Sequence, residues 1–277
     1  MAITPRTKSA WRKRIVTTEV AKLEGFLPKL YKINNLSAES FMKRFDKAAK
    51  VHGFRAKRMR FGRSVYFLGK GPQKVLFNAG IHGEERAGPI ALLTWLENTP
   101  KGALISKDFS LMISPLVGHD AWNNKQRKEN NKINLNSVWI SKNETKSRFK
   151  FAKVRPPKYV TDIRKEIIKF NPTFFLDFHE DTTIKDNEPY LFRNQKNRGA
   201  IYNLQEAVGV SRKKGVWQLE DANKTTAETF VYELGCEQTS TVETPQTKPL
   251  KFRVAFDLAI IGWTFKNLVK QENAETP

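Results

Sequence analysis

The sequence has one cysteine, Cys236, and four histidines among its 277 residues. No internal disulfide is possible, and any metal site must be built from imidazole and carboxylate rather than thiolate. Long hydrophobic runs are missing too. No stretch approaches the roughly 18 consecutive apolar residues that a membrane-spanning helix needs. The opening MAITPRTKSAWRKRIVTTEV is basic but lacks the apolar core of a secretory signal, so the expected location is the cytoplasm. Acid is also scarce: 28 Asp and Glu face 49 Lys and Arg, leaving a net charge of +21.

That charge is unevenly spread. Residues 1–70 carry 18 Lys or Arg against four acids, a net +14, and residues 120–155 carry ten against three, a net +7. The remainder is balanced. The basicity therefore belongs to an N-terminal extension, residues 1–70, and to one internal loop region, while residues 71–277 read as the catalytic body. Such a field favours an acidic or polyanionic partner, although solvated faces of a soluble protein account for it equally well.

Along the chain, Ser37 is placed to cap a helix in which Phe41, Phe45 and Ala48 recur at helical spacing before Gly53. FRAKRMRF and SVYFLG, parted by Gly62 and Arg63, predict a hairpin. KVLFNAG and TFFLDFHED predict buried strands, DFSLMISPL a strand, and the segments around EPYLFR and TSTVE further strands. AGPIALLTWLEN at 87–98 predicts a buried helix with Pro89 in its first turn. YVTDIRKEIIKF at 159–170 predicts an amphipathic helix, and VAFDLAIIGWTFKNLVK a closing one. The polar stretch from His119 to about Lys153 reads as a long loop of the kind that carries function or lacks order. Alternating strands and helices predict an α/β fold around a mainly parallel sheet.

Chemistry can be located from the histidines. His82 and His179 both fall at the ends of predicted strands beside carboxylates, where open α/β sheets tend to hold their sites. In His82-Gly83-Glu84-Glu85 the imidazole and the Glu85 carboxylate can turn inward together, and His179 can complete a set of three zinc ligands that leaves a position for water. His-x-x-Glu alone is a weak motif. Asp177, two residues before His179 on a strand, faces the same way and can anchor its imidazole. A water held at zinc needs a proton acceptor, and Glu243 in SerThrValGluThrPro is the candidate.

AsnAlaGlyIleHisGlyGluGlu at 78–85, AspPheHis at 177–179 and ThrValGluThrPro at 241–245 together resemble the zinc carboxypeptidase superfamily of the carboxypeptidase A type, and particularly its short bacterial branch near succinylglutamate desuccinylase and aspartoacylase. The resemblance runs from about residue 70 to the end. It implies a three-layer α/β/α sandwich around a mixed sheet, one zinc on His82, Glu85 and His179, and Glu243 as general base. It also aligns Arg127 with the arginine that stabilises the oxyanion. Asn134-Leu135-Asn136-Ser137 is similar to the family's Asp-Leu-Asn-Arg segment, which makes Asn136 a substrate-binding residue. Ser137 stands where an arginine would clamp a terminal carboxylate, and a hydroxyl cannot replace that bidentate grip. Either Arg193 or Lys132 supplies the cation instead, or the substrate is recognised differently.

The function implied is hydrolysis of a peptide or N-acyl amide bond, by a carboxypeptidase or deacylase, on a small acidic or cell-wall-derived substrate. An alternative of a different class is a nucleic-acid or polyanion-binding protein on the same fold, suggested by Trp11, Phe54, Phe61 and Tyr66 among the N-terminal cations. Contact of the basic arms with an anionic envelope surface, or self-association, is a third.

Overall fold

The computed structural model describes residues 27–104, 107–139, 156–182, 188–194, 201, 203–204, 216–217, 226–236 and 238–268. Trp11 and the loop residues 140–155 lie outside them.

Helices α1 (Leu27–Asn34) and α2 (Ala38–Val51) lead into a hairpin of β1 (Arg55–Arg58) and β2 (Ser64–Leu68). Then come β3 (Gln73–Ala79), α3 (Ala87–Asn98), β4 (Phe109–Ser114), α4 (His119–Asn124), α5 (Lys158–Phe170), β5 (Phe174–Asp181), β6 (Tyr190–Asn194), β7 (Val216–Trp217), α6 (Ala227–Glu233), β8 (Gln238–Pro245) and α7 (Leu250–Leu268). Among the described residues the strands form one eight-stranded sheet in the order β1-β2-β4-β3-β5-β8-β6-β7. Its middle, β4-β3-β5-β8, is parallel, while β2 pairs antiparallel with both β1 and β4, and β6 antiparallel with β8.

Three layers follow from the period of two along the central strands. Val75, Phe77, Leu111, Ile113, Phe174, Leu176 and Phe178 enter one core with α1, α2, α3 and α7. Leu76, Met112 and Phe175, the residues between them, enter a second core with α5 and α6. Each strand thus buries both faces, which is why these segments read as continuous apolar bursts rather than as alternation.

The basic N-terminal stretch is not separate from this body where it is described. Phe41, Phe45 and Tyr66 lie in the same core cluster as Phe77 and Trp122. Ser37 caps α2 by accepting from the Ser40 amide at 3.2 Å. Phe54 and Tyr66, proposed above as possible base-stacking aromatics, are buried core residues. Asn171 ends α5 in the left-handed region, a helix-terminating conformation that asparagine tolerates.

Two expectations need correction. The polar stretch after His119 is not wholly loop: it contains α4 and a 3-10 turn at Leu135–Ser137. α4 spans six residues, too few for periodicity to reveal. The closing helix α7 is not amphipathic in the one-faced sense, since only Gly262 and Lys266 are exposed among its described side chains. Phe265 stacks on Trp95 at 4.8 Å and meets Phe77 and Phe109 edge-on, so the helix packs against both the sheet and α3. No helix among the described residues is long and apolar enough to cross a membrane.

Candidate metal centre

Because β3, β5 and β8 run parallel, their C-terminal ends deliver three segments to one edge of the sheet. β3 hands over to the loop carrying His82 and Glu85, β5 carries Asp177 and His179, and β8 carries Glu243 directly opposite His179 in register. Gly83 makes the loop possible. A Cβ there would collide with the Ala121 backbone of α4, and the Gly83 amide donates to the Gln126 carbonyl at 2.8 Å.

The His82, Glu85 and His179 donor atoms lie within 4.8 Å of one another, and all three residues are buried. His82 Nδ1 is 2.6 Å from Glu85 Oε1, and His179 Nδ1 is 2.7 Å from Glu85 Oε2. Each imidazole therefore turns the same nitrogen inward. The outer nitrogens face oxygens as well: His179 Nε2 lies 3.2 Å from Asp177 Oδ2 at ion-pair distance, and His82 Nε2 makes a hydrogen bond of 2.9 Å with Asn134 Oδ1. Asp177 is steadied in turn by Asn78, whose Nδ2 donates to Oδ1 at 2.9 Å. Two imidazole nitrogens and a carboxylate, with their outer atoms anchored, are the donor set of a zinc site with an open position. The residues present fit the ion.

The charges here are strongly coupled. Burial disfavours a charged imidazole at His179, but Asp177 and Glu85 outweigh it and hold its pKa well above the ordinary value. Burial would raise Glu85, yet the charge and hydrogen bond of His179 and the hydrogen bond of His82 keep its carboxyl below the usual range. Glu243 goes the other way. Burial, reinforced by Glu85, Asp181 and Glu228 and opposed by His179, pushes its carboxyl well above the carboxylate range.

Arg127 extends from the loop after α4 and donates from Nη1 to Glu85 Oε1 at 3.0 Å, with Glu84 at 3.6 Å. The expected arginine thus reaches the cluster. Asn136 lies in the 3-10 turn, its backbone amide donating to Asn134 Oδ1 at 3.0 Å, and its own Oδ1 is buried with no partner among the described residues. Ser137 Oγ donates to the Asn134 carbonyl at 2.8 Å, so the hydroxyl is used inside the turn. Lys132 is exposed in the preceding turn. Arg193 pairs with Ser240 on β6, but its side chain lies outside the described residues.

Sequence reasoning passed over Asn134 and Asn78. Asn134 opens the segment in which only Asn136 had been given a role, and that position was its available signal. His52 and His119 stay outside the cluster: His52 Nε2 meets the Leu96 carbonyl at 2.7 Å, and burial near Arg63 lowers the His119 pKa to about 3.

The succinylglutamate desuccinylase/aspartoacylase catalytic domain model matches residues 71–254. The chain belongs to this family. Its fold is that of the carboxypeptidase-like proteins. A candidate metallopeptidase from Shewanella amazonensis SB2B superimposes with a TM-score of 0.66 at 21% identity, over 83% of this chain and 92% of that one. A metallo-carboxypeptidase from Pseudomonas aeruginosa, in complex with (2-guanidinoethylmercapto)succinic acid, gives 0.60 at 17% identity over 84% and 70%. A succinylglutamate desuccinylase from Silicibacter sp. TM1040 gives 0.54 at 17% over 77% and 65%. No curated protein matches the chain significantly.

Proposed function

We propose that this family member is a zinc-dependent hydrolase of a peptide or N-acyl amide bond, with His82, Glu85 and His179 as the metal ligands and Glu243 as general base. The convergence of those three side chains at one sheet edge, with Glu243 in register beside His179, is the observation that carries the reading. A zinc ion held there lowers the pKa of water and polarises a carbonyl.

The protein's own groups supply the rest. Asn134 and Asp177 fix both imidazoles with their inner nitrogens free to ligate. Glu243 in its ionised form takes the proton from the attacking water, and its buried surroundings, which favour the protonated carboxyl, suit it to hold that proton and pass it to the leaving nitrogen. Arg127 offers a fixed cation to the oxygen that gains negative charge. Asn136, with a buried and unpartnered Oδ1, orients the substrate. With the Ser137 hydroxyl engaged in its own turn, recognition of an acidic substrate group falls to another cation, and Arg193 is the candidate.

Glu243→Gln should keep about one zinc per chain while lowering kcat by roughly 10²- to 10⁴-fold, the usual worth of a general base. His82→Ala should lose the metal. Elemental analysis and turnover on a panel of N-acyl amino acids and peptides measure both, and unchanged turnover in Glu243→Gln sinks the assignment.

A further inference from the structure

The C-terminal end of β1 lies at the same sheet edge as the metal centre, because β1 runs parallel to β4 and β3 through the reversed β2. The turn there, Met59-Arg60-Phe61-Gly62-Arg63, holds an unusual residue. Phe61 is 70% exposed and adopts φ 59°, a left-handed conformation that bulky side chains avoid. No hydrophobic burial rewards it: its one ring neighbour among the described residues is Tyr159, edge-on at 6.2 Å.

Beside the turn, hairpin and α5 enclose an open groove of about 520 Å³, which shares Arg58 with the neighbouring cavity of about 890 Å³ that Phe61 lines. Five cations line it (Lys57, Arg58, Arg60, Lys165 and Lys169) against Asp162 and Glu166. Both acids are already committed, Glu166 to Lys57 at 2.8 Å and Lys169 at 3.1 Å, and Asp162 to Lys165 at 3.8 Å. The surplus is Arg58, largely exposed and 3.5 Å from Asp46, and Arg60, which has no ion pair among the described residues.

We infer that this hairpin turn and groove form a binding surface for single-stranded nucleic acid, with Arg58 and Arg60 on phosphates and Phe61 stacked on a base. A strained, exposed aromatic beside Arg60, which has no ion pair among the described residues, and Arg58, whose pairing with Asp46 is solvent-exposed, matches the stacking platform and basic track that such ligands require. The concavity argues for one flexible strand over an anionic bilayer, which needs a flat or convex face. The surface uses none of the metal-site residues, so it stands or falls apart from the hydrolytic reading.

The test is fluorescence anisotropy of the full chain with labelled oligo-deoxythymidylate, from about 50 to 200 mM salt. Phe61→Gly should weaken binding about tenfold, the loss of one stacked base, while raising Tm because glycine accepts the left-handed backbone. Arg58→Ala/Arg60→Ala should flatten the slope of log K against log salt by about 1.4, two single-strand phosphate contacts. Heparin, a polyanion without bases, should bind with no dependence on Phe61. The inference is overturned if the wild type does not bind the oligonucleotide, if Phe61→Gly binds it unchanged, or if anionic vesicles are bound more tightly and with the same response to Phe61→Gly.

Discussion

The two histidines of the cluster are supported in opposite ways. His179 is held by a carboxylate on its own strand two residues away, with Asn78 of the neighbouring strand behind it. His82 is held by a neutral amide that arrives from a loop 52 residues later. One support is charged and built into the sheet. The other is uncharged and only as firm as the loop that brings it. The difference separates what the β-scaffold guarantees from what the segment 125–137 must add, and that segment also carries Arg127.

The harshest way to break the comparison is to remove both residues of the β3 loop from their places at once. Gly83→Ala drives a methyl into the Ala121 backbone, and the loop must move to relieve it. His82 and Glu85 flank this position, so two of the three proposed ligands shift together. We expect zinc affinity to fall by more than about 100-fold, beyond the usual effect of losing one outer partner, as measured by chelator competition. Near-normal affinity in a folded Gly83→Ala protein would show that the loop is not packed as described.

Replacing the two supports one at a time sharpens the contrast. In Asp177→Asn one amide nitrogen must face either Asn78 Nδ2 or the His179 Nε2 hydrogen, donor against donor. The expected loss of zinc affinity is about 10- to 100-fold. Asn134→Ala removes a single neutral acceptor and should cost about tenfold, at the lower end of that range. Asn134→Asp makes the supports alike, and a carboxylate there should raise the basicity of His82 and tighten zinc binding several-fold. If Asn134→Ala proves costlier than Asp177→Asn, the loop rather than the strand governs the site.

The same contrast explains what could be read in the sequence. The buried strands announce themselves as apolar bursts, and Asp177-Phe178-His179 shows its chemistry because residues two apart share a strand face. The place of Glu243 near the end of a strand was legible through Pro245 and the β-branched run before it. Asn134 was not, since nothing local links it to His82. The helix α4 hid in a polar stretch because six residues show no periodicity, although its buried Trp122 stacks under Arg86 at 3.8 Å and anchors the β3 loop. Nor did composition reveal that Phe54 and Tyr66 are core while Phe61 is exposed: all three are aromatics among cations, and only the turn geometry parts them.

What keeps the loop in place can be tested through pH. Glu129 lies in the loop between Arg127 and Asn134 and is buried 3.5 Å from Arg63, which donates from Nε to the Val117 carbonyl at 2.7 Å and stacks on Tyr159 at 3.5 Å. Burial, with the Asp120 carboxyl beside it, raises the Glu129 pKa to about 7 against the pull of Arg63. The folded protein therefore binds this proton more tightly than the unfolded chain, whose carboxyl titrates near 4.5. The resulting stability is complete below that unfolded value and is lost as pH rises through about 7. Urea unfolding at pH values on either side of this window should show the wild type losing stability as pH rises. Glu129→Gln, which cannot ionise, should flatten the slope. Because the residue sits on the loop and away from the sheet, the same titration should loosen Asn134 more than Asp177, so Asn134→Ala and Glu129→Gln should prove non-additive in zinc affinity while Asp177→Asn and Glu129→Gln add. Additivity in both pairs would mean that Glu129 stabilises the fold without holding the loop against His82.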